Sequence, residues 1–169
     1  MLSSEDTIVE RLQKAVREKD ADTLQELLPF APEYDRHLAQ NYRTYEAARL
    51  CGYEVEMRID DYGWLKTENL EEKCERIRHE GKGFSIEILI LQHPNGKWVT
   101  GHNISFPTAG SYTHAGIFSD QYDTRTEAVK AEIDYLISYA EDNSSERGQK
   151  GAMEALRKER LNLCCPRLF

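Results

Sequence analysis

The sequence of 169 residues predicts an α+β protein, built on one mainly antiparallel four-stranded sheet with helices on one face. The first observation is the apolar run 84–92, whose isoleucines recur at every second position, as in a strand. The second is Pro-Asn-Gly at 94–96, which favours a tight turn between paired strands. The third is Thr124 followed by Glu127, the spacing of a capping box at the start of a helix.

Residues 1–52 are interpreted as an N-terminal segment of short helices. Ser3 and Asp20 are predicted to cap the first two, because each side chain can accept a hydrogen bond from a backbone N–H of the first turn. Pro32 suits the start of a third helix and Gly52 its end. We expect these helices to form a cap on the sheet.

The sheet domain is predicted over residues 53–141. Its first strand is residues 53–60, where apolar and charged residues alternate strictly. A helix is predicted next, because Leu70, Cys74 and Ile77 have the spacing of one helical stripe. The other predicted strands are 84–92, 97–106 and 112–118, and the last helix of the domain ends at Glu141.

The C-terminal part is interpreted as a linker, residues 142–151, and a basic helix with its tail, residues 152–169. The helix carries three apolar anchors and three basic residues: Met153, Leu156, Leu163, Arg157, Lys158 and Arg160. A helix this short is marginal alone in water, so it must dock on its own chain, on a second copy or on a partner. We expect deletion of residues 144–169 to leave the fold intact and to abolish self-association or the binding of a partner.

Charge is distributed unevenly along the chain. The formal net charge is −8, but residues 144–169 hold six Lys or Arg against three Glu, a balance of +3 that leaves −11 for residues 1–143. An acidic body is repelled by phosphate backbones, which disfavours non-specific nucleic-acid binding. The sequence shows no apolar run long enough for a membrane helix and no signal peptide, so a cytoplasmic location is expected.

No metal or cofactor is predicted. Cys51 and Cys74 sit among apolar residues, which is typical of buried, reduced, structural cysteines, and no CxxC pair points to zinc. Neither a phosphate-binding loop nor a dinucleotide-binding glycine pattern is present.

The densest polar stretch, residues 101–116, contains the candidate catalytic residues His102, Ser111 and His114. A serine hydrolase needs an activated nucleophile, an orienting acid and an oxyanion hole, and the sequence has no G-x-S-x-G pattern. A metal site from the two histidines and Asp120 lacks a convincing third ligand. The other interpretation is a glycine-containing loop with both histidines on an exposed sheet face.

The candidate binding residues include aromatic and basic side chains: Trp98, Tyr112, His114, Arg157, Lys158 and Arg160. Trp98, Phe106, Tyr112 and Phe118 could stack on the bases of a single-stranded nucleic acid. Such platforms are usually surrounded by Lys and Arg, and few of these are near, so most of the rings are predicted to pack under the helices.

The order of three strands and one helix in residues 84–141 resembles the second half of the double-stranded-RNA-binding fold. That family has a Lys-rich motif at the start of its last helix, where this chain has Thr-Arg-Thr-Glu-Ala-Val-Lys at 124–130. Most of the phosphate-clamping lysines are missing, so the resemblance concerns topology. Tyr-x-Thr-x-x-Glu-Ala at 122–128 also resembles the ends of accessory proteins of bacterial mobile elements.

These observations favour a bacterial or phage accessory protein that acts without catalysis, by binding another macromolecule, most simply a protein or a second copy of itself. The first alternative is a nucleic-acid-associated module of a mobile element. The second is a small hydrolase that uses the His102–His114 loop.

Overall fold

The computed structural model describes residues 4–18, 20–30, 43–54 and 70–164, and the chain divides into two units, Met1–Glu68 and Asn69–Phe169. The first unit contains α1 (Ser4–Glu18), α2 (Ala21–Leu27), a 3-10 turn (Leu28–Phe30) and α3 (residues 43–50). The second contains a 3-10 turn (Leu70–Lys73), β1 (Glu75–Gly81), β2 (Phe84–Gln92), β3 (Trp98–Ser105), β4 (Gly110–Thr113), α4 (Arg125–Asp142) and α5 (Gln149–Cys164). Among the described helices, none combines the length and apolarity needed to cross a bilayer.

Asp20 separates the first two helices of the N-terminal unit, as predicted. Its carboxylate accepts hydrogen bonds from the Thr23 hydroxyl and from the Thr23 backbone N–H at 3.0 Å, and these bonds lower the pKa of Asp20. Gly52 follows α3 at a φ of 86°, a conformation that favours glycine after a helix. The predicted cap Ser3, the predicted helix start at Pro32 and most of the predicted strand 53–60 lie outside the described residues.

The four strands of the second unit form one antiparallel sheet in the order β1-β2-β3-β4. This confirms the predicted α+β class and the bounds of the 84–92 strand. The predicted turn is also present, since the Gly96 N–H donates to the His93 carbonyl at 2.9 Å and Gly96 has a φ of 86°. β4 forms the outer side of the sheet next to β3.

The first strand of the sheet corrects the sequence interpretation of residues 70–81. The predicted helix is wrong, because Glu75–Gly81 is a strand and only Leu70–Lys73 makes a 3-10 turn. Ile77 pairs with Ile88 of β2, and the two-residue turn before Phe84 is closed by Gly83 at a φ of 86°. The helical spacing of Leu70, Cys74 and Ile77 is therefore coincidental.

The last strand is shorter than predicted. β4 ends at Thr113, and residues 114–121 form a loop instead of continuing to Phe118. The loop turns back at Gly116, whose carbonyl accepts a hydrogen bond from the Ser119 backbone N–H at 3.0 Å. It ends where Tyr122 makes an isolated bridge to Trp98 at the beginning of β3.

Both helices of the second unit pack on the same face of the sheet, hereafter the helix face. α4 begins with the predicted capping box, in which the Thr124 side chain accepts from the Glu127 N–H and the Glu127 side chain accepts from the Thr124 N–H. The core on this face contains residues of β2, β3, α4 and α5 and of the segment after β3: Ile86, Ile88, Ile90, Ile104, Phe106, Val129, Ile133, Leu136, Ala140, Ala152, Met153 and Leu156. α5 therefore docks on its own chain.

The opposite face carries a smaller apolar cluster and a group of charges. Leu89, Leu91, Val99 and Ala115 are buried there, so the outer half of β2 is covered on both sides. Cys74 packs against this cluster, and burial raises the pKa of its free thiol.

Glu87 lies between two guanidinium groups on this opposite face. Its Oε1 is 2.6 Å from Arg78 Nε, and its Oε2 is 2.9 Å from Arg76 Nη1. Burial acts to raise the pKa of Glu87, but the hydrogen bonds from Arg78 and Arg76 outweigh it, so that the pKa is lowered. The stabilisation is therefore fully present above the pKa of the unfolded chain and is lost as the pH falls through the folded pKa.

We expect Glu87→Gln to make the melting temperature less dependent on pH between about pH 5 and pH 3, because the lost carboxylate no longer takes up a proton on unfolding. Thermal melts followed by circular dichroism measure the slope. The control is Glu80→Gln, which removes an exposed carboxylate of β1 and should leave the slope as in the wild type. Equal slopes for Glu87→Gln and the wild type would contradict the prediction.

Candidate functional site

A cavity of about 370 Å³ opens on the helix face between β3, α4 and the loop that follows β4. Its walls contain two residues of β3, one of β4, four of the loop and bridge, and three of α4: Thr100, His102, Thr113, Phe118, Ser119, Asp120, Tyr122, Ala131, Glu132 and Tyr135. The volume is at the low end of the range for small-molecule pockets, about 300–1,000 Å³. It suits one small polar molecule or one side chain of a partner.

Hydrogen bonds hold the loop that forms the outer wall. Backbone bonds of 2.9 Å run both ways between Trp98 and Tyr122, and the Ser119 hydroxyl donates to the His114 carbonyl at 3.1 Å. The same hydroxyl accepts from the Gly116 N–H at 3.0 Å. Hydrogen bonds therefore hold the loop against β3 and hold its own residues together, so the cavity is preformed.

The cavity is acidic. Asp120 and Glu132 both line it, and the described lining residues include no Lys or Arg. Burial raises the pKa of the Tyr122 phenol, and the negative charges of Asp120 and Glu132 raise it further, so both carboxylates act on the same region. Asp120 has no hydrogen bond or ion pair with another described residue.

His102 is the most buried polar residue at the cavity, with 3% of its surface exposed. It pairs with Ile88 across the sheet and faces α4, where its Nδ1 is 2.6 Å from Glu132 Oε1. Its Nε2 is 2.8 Å from the Ser111 hydroxyl on β4. The Tyr135 ring packs on the imidazole with centroids 5.0 Å apart. Every polar atom of this buried ring is thus satisfied.

The structure brings together only two of the three predicted catalytic residues. Ser111 and His102 are hydrogen bonded, whereas His114 lies on the opposite face, 2.8 Å from the Tyr112 hydroxyl and 3.6 Å from Glu71. The expectation that His102 lies on an exposed face is wrong, because α4 covers it. Within the described ranges, no three possible metal ligands meet.

The candidate aromatic platform is divided between the two faces. Phe106 belongs to the core and Trp98 packs against it on the helix face, whereas Tyr112 donates a hydrogen bond to Glu71 on the opposite face. Phe118 is exposed over 65% of its surface at the rim of the cavity. Four rings so distributed do not form one stacking surface.

The basic residues of α5 make ion pairs within the unit. Arg160 Nε is 2.6 Å from Asp134 Oδ1, and Arg157 Nη2 is 3.7 Å from Glu141 Oε1, both on α4. Lys158, also exposed, has no ion pair with a described residue. The predicted basic helix therefore has much of its charge balanced by the neighbouring helix.

Glu132 is the functional candidate that the sequence interpretation missed. It follows Ala128 and precedes Leu136 in steps of four, and both neighbours are completely buried, so a carboxylate stands in a row that packs on the sheet. A charged side chain in a buried helical row needs a polar partner. This position of Glu132 in the sequence was the signal that could have identified it as a candidate. The identity of that partner, His102, depends on a contact across 30 residues.

Comparisons of this chain with protein-family models, with curated proteins and with solved structures gave no match.

Proposed function

We propose that this protein acts by binding another protein, and that the cavity receives a Lys or Arg side chain of that partner. The observation that carries the proposal is the composition of the walls, which combine two carboxylates with three aromatic rings and contain no described Lys or Arg. A cation in such a cavity gains from the carboxylates and from the faces of the rings.

Asp120 is the residue best placed to bind the cation. The Oε1 atom of Glu132 already interacts with His102, whereas Asp120 makes no hydrogen bond or ion pair with a described residue. Asp120 is exposed on the loop, so a cationic side chain can reach it directly from solvent. Its carboxylate stays hydrated until the partner binds, so the folded protein carries no desolvation cost for it beforehand.

Phe118 and Tyr135 supply the apolar part of the surface. Phe118 is 65% exposed and Tyr135 is 50% exposed, and both line the same cavity. Aromatic residues that border a pocket are typical anchors of protein interfaces, because they bury a large apolar area at a low cost in conformational entropy. The alkyl part of a Lys or Arg side chain can pack on the same rings.

A protein partner fits these charges better than a nucleic acid. The cavity is acidic and the whole chain has a net charge of −8, so phosphate groups are repelled from it. Arg157 and Arg160 of α5 already pair with Glu141 and Asp134. These pairs reduce the positive charge available to a phosphate backbone.

The test uses a peptide of glycine and serine with one central arginine, compared with the same peptide carrying neutral citrulline. Two-dimensional NMR of the full chain should show shifts at Phe118, Asp120 and Tyr135 with the arginine peptide only. Asp120→Asn should weaken this binding about tenfold, because a charge-assisted contact is lost.

The matched control is Asp123→Asn, which removes a carboxylate three residues away that pairs with Lys97 outside the cavity. It should leave the affinity for the arginine peptide unchanged. Equal binding of the citrulline peptide would contradict recognition of a cation. Salt-dependent binding of a single-stranded oligonucleotide at the same residues would favour the nucleic-acid alternative instead.

A further inference from the structure

Three side chains from three elements form a continuous hydrogen-bonded chain, of which two members lie in the cavity wall and the third on β4 beside it. Glu132 of α4 contacts Nδ1 of His102 on β3 at 2.6 Å, and Nε2 of His102 contacts the Ser111 hydroxyl on β4 at 2.8 Å. A carboxylate, an imidazole and a hydroxyl in this order are the components of a nucleophile activated by a base and an orienting acid.

The order of the contacts determines which side-chain atoms carry the shared hydrogens. A carboxylate only accepts hydrogen bonds, so Nδ1 of His102 carries the hydrogen that Glu132 accepts. In the neutral imidazole Nε2 is then the acceptor, and the Ser111 hydroxyl donates to it. Ser111 is thereby placed to give up its proton to His102.

The three hydrogen-bonded side chains differ in burial in a way that suits catalysis. His102 is 3% exposed and the Glu132 side chain is 11% exposed, so little water competes for the bond between them. Ser111 is only partly buried, on a strand that has no further strand beside it in the described sheet. An outer strand presents unpaired backbone N–H groups, which can stabilise an oxyanion.

We propose that Ser111 is a catalytic nucleophile that hydrolyses small carboxylic esters, with His102 as its general base and Glu132 as a positioning residue. This activity goes beyond the proposed binding function and does not depend on it. Ser111 is partly buried on β4 and is not among the residues that line the cavity, so the proposed site of ester hydrolysis lies beside the cavity, at β4.

The reaction is balanced without any oxidant or reductant. The Ser111 proton moves to Nε2 of His102 while Oγ forms a bond to the carbonyl carbon, and the electron pair of the C=O π bond moves to its oxygen. When the carbonyl re-forms, the bond to the alkoxy group breaks and the alcohol takes the proton from His102. Water then attacks the acyl-serine by the same steps, which releases the acid and restores the hydroxyl.

The experiment treats the full chain with a fluorophosphonate probe and locates the adduct by mass spectrometry, alongside turnover of p-nitrophenyl acetate. We expect one adduct, on Ser111. Ser111→Ala should lose the adduct and lower kcat by at least about 100-fold. Ser105→Ala, a matched control on β3, should retain both.

The role of Glu132 is tested separately. Glu132→Gln should lower kcat at least about tenfold and leave KM within about twofold, because the imidazolium ion is no longer stabilised in the transition state. An unchanged kcat would show that the bond to His102 is only structural and would overturn this role.

Two results would overturn the proposal as a whole: no adduct on Ser111 of the wild type, or undiminished turnover by Ser111→Ala. The first does not depend on whether any variant folds. Neither result affects the binding of the arginine peptide, which is tested at Asp120, so failure of one proposal leaves the other standing.

Discussion

Leu156→Ala is expected to lower the free energy of unfolding of the sheet-containing unit by about 2–5 kcal/mol. Leu156 is completely buried in the core of the helix face, where α5 packs against α4, β1 and β2. Replacement by Ala removes its apolar contacts and leaves a cavity that close-packed neighbours fill only partly. Urea denaturation followed by circular dichroism measures the loss.

The matched control is Leu161→Ala on the same helix. Leu161 is 67% exposed, so its replacement should change the free energy of unfolding by no more than about 0.5 kcal/mol. Equal effects of the two substitutions would mean that α5 is not part of the core.

The burial of α5 changes what we expect of truncation. The composition of the last 26 residues indicated a segment that could be deleted without loss of the fold. Ala152, Met153 and Leu156 all belong to the core of the helix face, so deletion of residues 144–169 should instead unfold the sheet-containing unit. The sequence showed correctly that the helix has few apolar residues, but not that those few complete the core.

Local signals predicted the parts of the fold that local chemistry decides. The alternation in β2, the Asn-Gly turn and the capping box of α4 each depend on neighbours a few residues apart. β1 was missed because Ile77, its one apolar side chain, has helical spacing with Leu70 and Cys74, which precede the strand. Pairing with β2 makes this segment a strand. The periodicity of one segment contains no information about the strand that it pairs with.

For the candidate site, too, the sequence predicted residues that are close in the chain and missed those that depend on tertiary packing. His102 and Ser111 were both named as candidates because they lie in one polar stretch, and their contact across nine residues is a finding of the structure. His114 has the same residue type as His102 but lies beyond the end of β4, on the opposite face, so residue type alone did not identify the pair. Glu132 and the cavity depend on how α4 and the loop pack over the sheet, which is a tertiary property.

Gly101→Ala is expected to lower the free energy of unfolding by about 1–3 kcal/mol and to disturb the cavity. Gly101 is buried in β3, and a Cβ there would lie 2.4 Å from the Ala115 nitrogen and 2.4 Å from the Thr113 carbonyl oxygen. Both atoms belong to the backbone, so the contact cannot be relieved by rotating a side chain. The chain from Thr113 to Ala115 must therefore move.

That movement should reach the cavity, because Thr113 is part of its wall and the same segment leads into the loop that carries Phe118 and Asp120.

Gly116→Ala is the matched control, since a Cβ at Gly116 meets nothing within 4 Å. It should leave stability unchanged or raise it by up to about 1 kcal/mol, because it restricts the unfolded chain. Thermal melts and titration with the arginine peptide measure the two effects. If Gly101→Ala kept both stability and binding, the close crossing of β3 and the loop would be wrong, and with it the position of the outer wall.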